Sequence, residues 1–168
     1  METLIERARS FATRAAGDGR ALRHLAAGQA PQALFVTCSD SRVVPALITD
    51  AAPGDLFELR TAGNVVPPHS DDGPPSGEAA TITYAVEVLG VRDVVVCGHS
   101  HCGAVTAMLR PGGLAEVPAA VRDWLADDAA ALRADTPATE VFDPAVAVPV
   151  QRHVLAQLAR LRRYPRVA

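Results

Sequence analysis

Cysteine and histidine side chains stand where two apolar segments run into polar ones. His99 and Cys102 lie three residues apart in the segment GHSHCG, and Cys38 directly follows the apolar run QALFVT. At a turn from strand to helix, two residues with this spacing can converge on one point. If the two strands are neighbours, Cys38, His99 and Cys102 form a Cys2His set, which suits zinc and leaves a fourth position open. Taken alone, the H-x-x-C spacing also fits a buried thiol and a solvent-facing histidine.

Apolar runs and helical periodicities alternate along the chain and position these side chains. The strands are predicted at residues 32–37, 56–60 and 93–97, and the helices at 2–26 (two short ones), 78–89, 103–108, 119–133 and 144–163. This alternation is typical of an α/β fold in which a parallel β-sheet is flanked by helices. The ligand site of such a sheet lies beyond the carboxyl ends of its strands, where Cys38, Gly63 and His99 are placed.

The composition limits the class of protein. The chain has 168 residues, 49% of them hydrophobic, which predicts a single domain over 1–168. A net charge of -3 with scattered arginines argues against nucleic-acid binding. No apolar run is long enough to span a bilayer and the first residues lack a signal-peptide core, so we expect a cytoplasmic protein without membrane contact. An odd number of cysteines, three, argues against a disulfide framework and favours metal binding or catalysis.

Two motifs strengthen the zinc interpretation. They are CSDSR at 38–42 and GHSHCG at 98–103, and together they resemble the signature of the β-carbonic anhydrases. The similarity continues in family order through the segments PALIT, PGDLFELRTAGN, GEAATITYAVEVLGV and QRHVLAQLARLRRYP. The resemblance therefore covers nearly the whole chain.

The resemblance implies a site and an activity. By this resemblance Cys38, His99 and Cys102 bind Zn²⁺, while Asp40 and Arg42 form the catalytic pair of the family, and Asp40 can also occupy the fourth zinc position. The implied reaction is the reversible hydration of carbon dioxide to bicarbonate and a proton by zinc-bound hydroxide, in a homodimer or higher even oligomer. Arg42 is expected to hold the Asp40 carboxylate ionised, oriented and off the metal. Activity is expected to increase with pH.

Members of the family continue past the helix that ends in LRRYP with further strands, one of which pairs beside the strand equivalent to DVVVC. The resemblance thus implies a chain truncated at its C-terminus, with an open edge on its third strand. Two alternatives remain. One is a zinc-containing but inactive paralogue that acts as a structural or assembly partner, and the other is a related enzyme that hydrolyses carbon disulfide.

Several other polar residues are predicted to have structural roles. Cys97 ends an apolar strand and is expected in the core. His24 and His153 are expected on helix surfaces, and Gly63 in the turn after the second strand. His69, in a loop rich in proline, is a candidate to relay protons between the site and buffer.

Overall fold

The internal contacts of the chain divide it into two units, of which the first is helical. The computed structural model describes residues 2–17, 22–69, 74–136 and 147–167. The first unit, Met1–Ala30, contains α1 (Glu2–Arg9), α2 (Phe11–Gly17) and a 3₁₀ turn at Leu22–Ala27. The second unit, Pro31–Ala168, contains all residues predicted for the metal site. The assignment of 1–168 to one domain stays a prediction.

A three-stranded parallel sheet organises the second unit. Its strands are β1 (Ala33–Cys38), β2 (Leu56–Thr61) and β3 (Asp93–Cys97), in the order β2-β1-β3. The central strand β1 is almost entirely buried, because it has a partner on each side and helices over its faces. The pairing aligns Cys38 with Thr61 and Thr37 with Cys97, so the carboxyl ends of all three strands lie side by side. The predicted parallel sheet flanked by helices is confirmed.

Five helices accompany this sheet in the part of the chain that the structure describes. They are α3 (Pro45–Thr49), α4 (Gly77–Thr83), α5 (Gly103–Leu109), α6 (Ala119–Ala134) and α7 (Ala147–Leu161). Helix α4 begins where the Ser76 hydroxyl accepts a hydrogen bond from the Ala79 N–H, and it continues as one π turn at Tyr84–Val88. Helix α3 was not predicted, because five residues are too few to show a helical period. Within the described residues, no helix has the length and apolar composition that a membrane span requires.

Helix α7 turns polar side chains toward the protein interior. Its buried face contains Val150, His153, Gln157 and Leu161, spaced three, four and four residues apart. The prediction that His153 lies on a helix surface is wrong, since only 1% of this residue is exposed. The spacing places His153 on the apolar stripe of the helix, and hydrogen bonds to Gly63 and Gln157 satisfy its ring nitrogens.

An apolar groove runs along the outer side of β3. In the part of the chain that the structure describes, this strand pairs with β1 alone, so its other edge is open, and the Val95 side chain is exposed there. The groove has a volume of about 830 Å³. It is lined by residues of β3, including Cys97, by residues of α7, and by Ile48 and His99. The expectation of an open edge on the third strand therefore holds for the described residues.

Candidate metal centre

The loop that follows β1 is held in place by a side chain of β2. The guanidinium group of Arg60 donates hydrogen bonds to the carbonyls of Cys38 (3.1 Å), Asp40 (2.8 Å) and Val43 (2.8 Å). Three carbonyls on one planar donor leave the loop little freedom. This contact fixes the backbone on both sides of Asp40.

The second loop leads from β3 into α5 and carries His99 and Cys102. His101 adopts a left-handed conformation there (φ 53°), and α5 begins at Gly103 directly after Cys102. The Nδ1–H of His99 donates to the carbonyl of Ser100 at 2.9 Å. That bond fixes the ring tautomer, and Nε2 is left with its lone pair available.

Two thiols and one imidazole nitrogen converge between these loops. Ligand atoms of Cys38, His99 and Cys102 all lie within 4.8 Å of one another. Both cysteines belong to an apolar cluster with Val105 and Met108, whereas His99 is half-buried. The His99 Nε2 atom is buried and has no hydrogen-bond partner among the described residues. An imidazole lone pair without a partner beside two thiols fits a Cys2His zinc site with one open position.

The two thiols differ in their acidity. Hydrogen bonds from the Cys102 thiol and from the backbone N–H groups of Asp40 and Gly63 lower the pKa of Cys38, against the opposing effect of burial. The pKa of Cys102 is raised, because its thiol donates to Cys38 and is buried. The centre therefore favours the thiolate at Cys38, which is the form in which cysteine binds metals.

Asp40 and Arg42 form a two-point ion pair at the side of this centre. Arg42 Nε donates to Asp40 Oδ1 at 2.9 Å and Arg42 Nη2 donates to Oδ2 at 2.7 Å. These bonds hold the pKa of the Asp40 carboxyl well below its usual range. Asp40 Oδ2 lies 3.9 Å from His99 Nε2, and Arg42 also donates to the His101 carbonyl at 3.2 Å. The pair thus connects the two loops that supply the thiols and the imidazole.

The comparisons with known proteins agree with this geometry. Residues 33–168 match the family model described as carbonic anhydrase. A carbonic anhydrase of Pseudomonas aeruginosa is 50% identical over 87% of this chain, and one of Synechococcus elongatus is 42% identical over 98% of it. The solved β-carbonic anhydrase CcaA has 37% identity and a TM-score of 0.87, covering 99% of this chain and 82% of that one. The chain belongs to the β-carbonic anhydrase family.

This member of the β-carbonic anhydrase family matches only part of its relatives. The chain spans 66% of the Pseudomonas enzyme and 61% of the Synechococcus enzyme, which is less than two thirds of each. β-Carbonic anhydrases are zinc enzymes, and the donor set described above could hold that ion. All five residues predicted for the site lie together at the carboxyl ends of the strands.

Cys97 does not belong to the set of donors that converge within the described part of the chain. Its side chain is half-buried beside the apolar groove, and its thiol donates to the Gly98 carbonyl at 3.6 Å. His69 packs edge-on against the Tyr164 ring, with 5.1 Å between the ring centroids. The side chain of His24 lies outside the described residues, so its predicted position stays a prediction.

Two side chains that shape this β-carbonic anhydrase site were not predicted from the sequence. Arg60 lies opposite Thr37 in the neighbouring strand, close to the CSDSR loop. The sequence did contain one indication of its role, because a charged residue stands one position before the end of a strand. The indole Nε1–H of Trp124 donates to the Ala62 carbonyl at 2.9 Å, across 62 residues of sequence. No local pattern predicts that second contact.

Gly63 lies where the β-carbonic anhydrase fold leaves no room for a side chain. Its φ is 75°, a left-handed conformation that favours glycine, and a Cβ atom built there would stand 2.6 Å from the Cβ of Ala104. The predicted turn role of this residue is consistent with that backbone. The residue is also buried, so the clash cannot be relieved by a shift into solvent.

Gly63→Ala is expected to lower the free energy of unfolding by about 2–4 kcal/mol, from the left-handed backbone and the overpacking against Ala104 together. Gly77→Ala is the matched control, because a Cβ there meets nothing within 4 Å and the residue lies in the first turn of α4. The control should change stability by less than about 1 kcal/mol. Urea denaturation followed by circular dichroism measures both, and equal stability of the two variants would contradict the packing described for Gly63.

Proposed function

We propose that this chain catalyses the zinc-dependent, reversible hydration of carbon dioxide to bicarbonate and a proton. The observation that carries the proposal is the convergence of Cys38, His99 and Cys102 within 4.8 Å beside an ion-paired carboxylate. Membership of the carbonic anhydrase family supports it. The reaction needs an activated water and a route for one proton, and the centre offers residues for both.

Cys38, Cys102 and the Nε2 atom of His99 would hold the zinc ion. Zinc, when bound, acidifies a coordinated water and so supplies a nucleophile near neutral pH; the standard example is the carbonic anhydrase whose zinc has three histidine ligands. Two thiolates here would offset the charge of the ion and weaken that acidification. The protein must therefore help to orient the nucleophile and to take its proton.

Asp40 is proposed to accept a hydrogen bond from the nucleophile through its carboxylate. Because Arg42 holds the pKa of Asp40 well below its usual range, the carboxylate stays ionised at neutral pH and cannot retain a proton there. Its role is therefore to orient the nucleophile and to pass the proton on, and buffer is the final acceptor. Arg42 in turn holds Asp40 away from the metal, where it would otherwise fill the open position.

The chain is further proposed to act as a homodimer or higher even oligomer in the cytoplasm. Solved β-carbonic anhydrases of Sordaria macrospora are tetrameric, and one of them has 29% identity to this chain with a TM-score of 0.72. In α3, which follows the loop that carries Asp40 and Arg42, Leu47 is 82% exposed and Ile48 is 58% exposed, as an apolar contact surface requires. Three free cysteines support a reducing compartment.

Stopped-flow carbon dioxide hydration, run on protein whose zinc content has been determined, tests the proposal. We expect about one zinc per chain and hydration that is lost on chelation and restored when zinc is returned. Zinc without hydration would favour the structural or assembly partner. Carbon disulfide hydrolysis without hydration would favour the related hydrolase. A chain that takes up no zinc would overturn the metal assignment itself.

A further inference from the structure

A continuous line of buried polar groups leads from α6 and α7 to the loop beside the metal centre. Arg160 Nη1 donates to Asp128 Oδ2 at 2.7 Å, and Gln157 Nε2 donates to Asp128 Oδ1. Gln157 Nε2 also lies 3.4 Å from His153 Nδ1, and His153 Nε2 lies 2.8 Å from the Gly63 carbonyl oxygen. Asp128, His153 and Gln157 are all at least 97% buried. None of these four side chains belongs to the proposed metal ligands or to the ion pair beside them.

The partners settle the direction of each hydrogen bond. A carbonyl can only accept, so His153 carries its proton on Nε2 and donates it to Gly63, and Nδ1 accepts from the amide of Gln157. The Gln157 carbonyl oxygen then accepts from the Val66 N–H at 2.8 Å. The arrangement is self-consistent, with each polar atom of the two side chains matched to a complementary partner.

The other end of this line reaches the metal centre through Gly63. The register of β1 and β2 sets Cys38 opposite Thr61, so the turn that contains Gly63 follows directly beside that thiol. The Gly63 backbone N–H faces the Cys38 sulfur. On its other side Gly63 packs against Ala104, two residues beyond Cys102. Gly63 is therefore wedged between the segments that carry the two proposed thiolate ligands.

Burying these polar side chains costs free energy of desolvation, which hydrogen bonds within the protein must offset. Their partners outside the two helices are backbone groups of the 63–67 segment: the Gly63 carbonyl, the Val66 N–H and the Val66 carbonyl, which Arg160 binds at 3.0 Å. The structural product of the network is thus a fixed conformation of that segment. His153 is the member that holds the residue next to Cys38.

We propose that His153 is a positioning residue for the metal ligand Cys38, acting through the backbone of Gly63. The inference rests on the proposed zinc site. His153 Nε2–H holds the Gly63 carbonyl and so fixes the peptide that joins Gly63 to Asn64. With that peptide fixed, the backbone torsions of Gly63 are restrained, and the turn stays packed beside Cys38 with the Gly63 N–H, on the preceding peptide, facing the sulfur. A hydrogen bond made directly to a metal ligand orients it and strengthens its hold on the metal, and its loss typically costs about 10–100-fold in metal affinity. His153 acts one step further from the ligand, so an effect at the low end of that range is expected.

The test is the rate of zinc release to an excess of a chromophoric chelator, at a temperature where every variant is folded. His153→Leu should release zinc about tenfold faster or more. Tyr164→Phe is the matched control: it removes an equally buried donor, which binds the Pro67 carbonyl at 2.8 Å, at the far end of the same segment. Tyr164→Phe should release zinc within about twofold of the wild-type rate. The conservative variant His153→Gln, which keeps an N–H donor, should release zinc at a rate between those of wild type and His153→Leu.

A second readout follows the thiolate itself. In cobalt-substituted protein the thiolate-to-metal charge-transfer absorption should shift in His153→Leu and stay unchanged in Tyr164→Phe. If His153→Leu does not fold, Gln157→Met takes its place, since it removes the hydrogen bond to Nδ1 and should accelerate zinc release in the same direction. Wild-type release and an unchanged cobalt spectrum in the folded variants overturn the proposal, as does equal acceleration in Tyr164→Phe. A wild-type chain that binds no zinc overturns the proposed function as well, whereas wild-type zinc binding with unaffected His153 variants overturns this inference alone.

Discussion

Cys38→Ser and Cys102→Ser are expected to purify with almost no zinc, whereas Cys97→Ser keeps about one zinc per chain. A serine hydroxyl stays protonated at neutral pH and is a poor zinc ligand, so either change leaves one thiolate and one imidazole on the ion. Cys97 ends the neighbouring strand β3, yet its thiol is hydrogen-bonded to the Gly98 carbonyl and lies outside the converging set. Elemental analysis of the three purified variants measures the zinc content.

The three substitutions are chemically identical and lie at the carboxyl ends of β1 and β3 or at the turn into α5. General damage to the sheet would therefore lower zinc content in all of them, and that result would refute the ligand assignment. Loss confined to Cys97→Ser would refute it as well. Circular dichroism shows whether each variant is folded, with zinc-free wild-type protein as the reference spectrum. A variant that matches this reference has lost the ion and kept its fold.

The parallel sheet and the proximity of the five candidate site residues could be predicted because their signals are local. Cys38 and His99 each follow an apolar run, and strands of a parallel sheet end at one edge, so the motifs CSDSR and GHSHCG had to meet if the strands were neighbours. Asp40 and Arg42 are two residues apart, so their pairing needs no long-range information. The direction of the His99 ring, set by the Ser100 carbonyl, belongs to the same short turn.

The second layer around the site could not be predicted, because its contacts join distant parts of the sequence. His153 meets Gly63 across 90 residues, and its type suggested a surface position although its spacing along α7 placed it on the buried face. A polar residue on an apolar stripe can be buried only if the fold supplies partners, and those partners are invisible in the local sequence. Arg60 is a similar case: its three acceptors are backbone carbonyls of a loop whose shape is known only from the structure.

Asp40→Asn and Arg42→Ala are expected to keep their zinc and to lose most of their hydration activity, by about 100-fold or more. Neither side chain is among the three converging donors, so the metal should remain bound. The neutral amide introduced by Asp40→Asn lacks the charge that accepts a hydrogen bond from the nucleophile, and loss of Arg42 would free the carboxylate to swing toward the open metal position. Arg122→Ala is the control, since it removes only an exposed ion pair with Asp123 on α6 and should hydrate carbon dioxide at the wild-type rate. Stopped-flow rates normalised to zinc content compare the three variants.

Arg42→Lys separates the two effects of the arginine. A lysine keeps the positive charge but cannot bind both carboxylate oxygens through a planar fork, so Asp40 stays ionised and is less firmly oriented. Activity between that of wild type and Arg42→Ala is therefore expected, with zinc content unchanged. Wild-type rates in zinc-loaded Asp40→Asn would end the proposed mechanism, because the centre would then activate its nucleophile without the carboxylate. Wild-type rates in Arg42→Ala alone would leave Asp40 as the acceptor and show that the two-point pair, with distances of 2.9 and 2.7 Å, is not what keeps it off the metal.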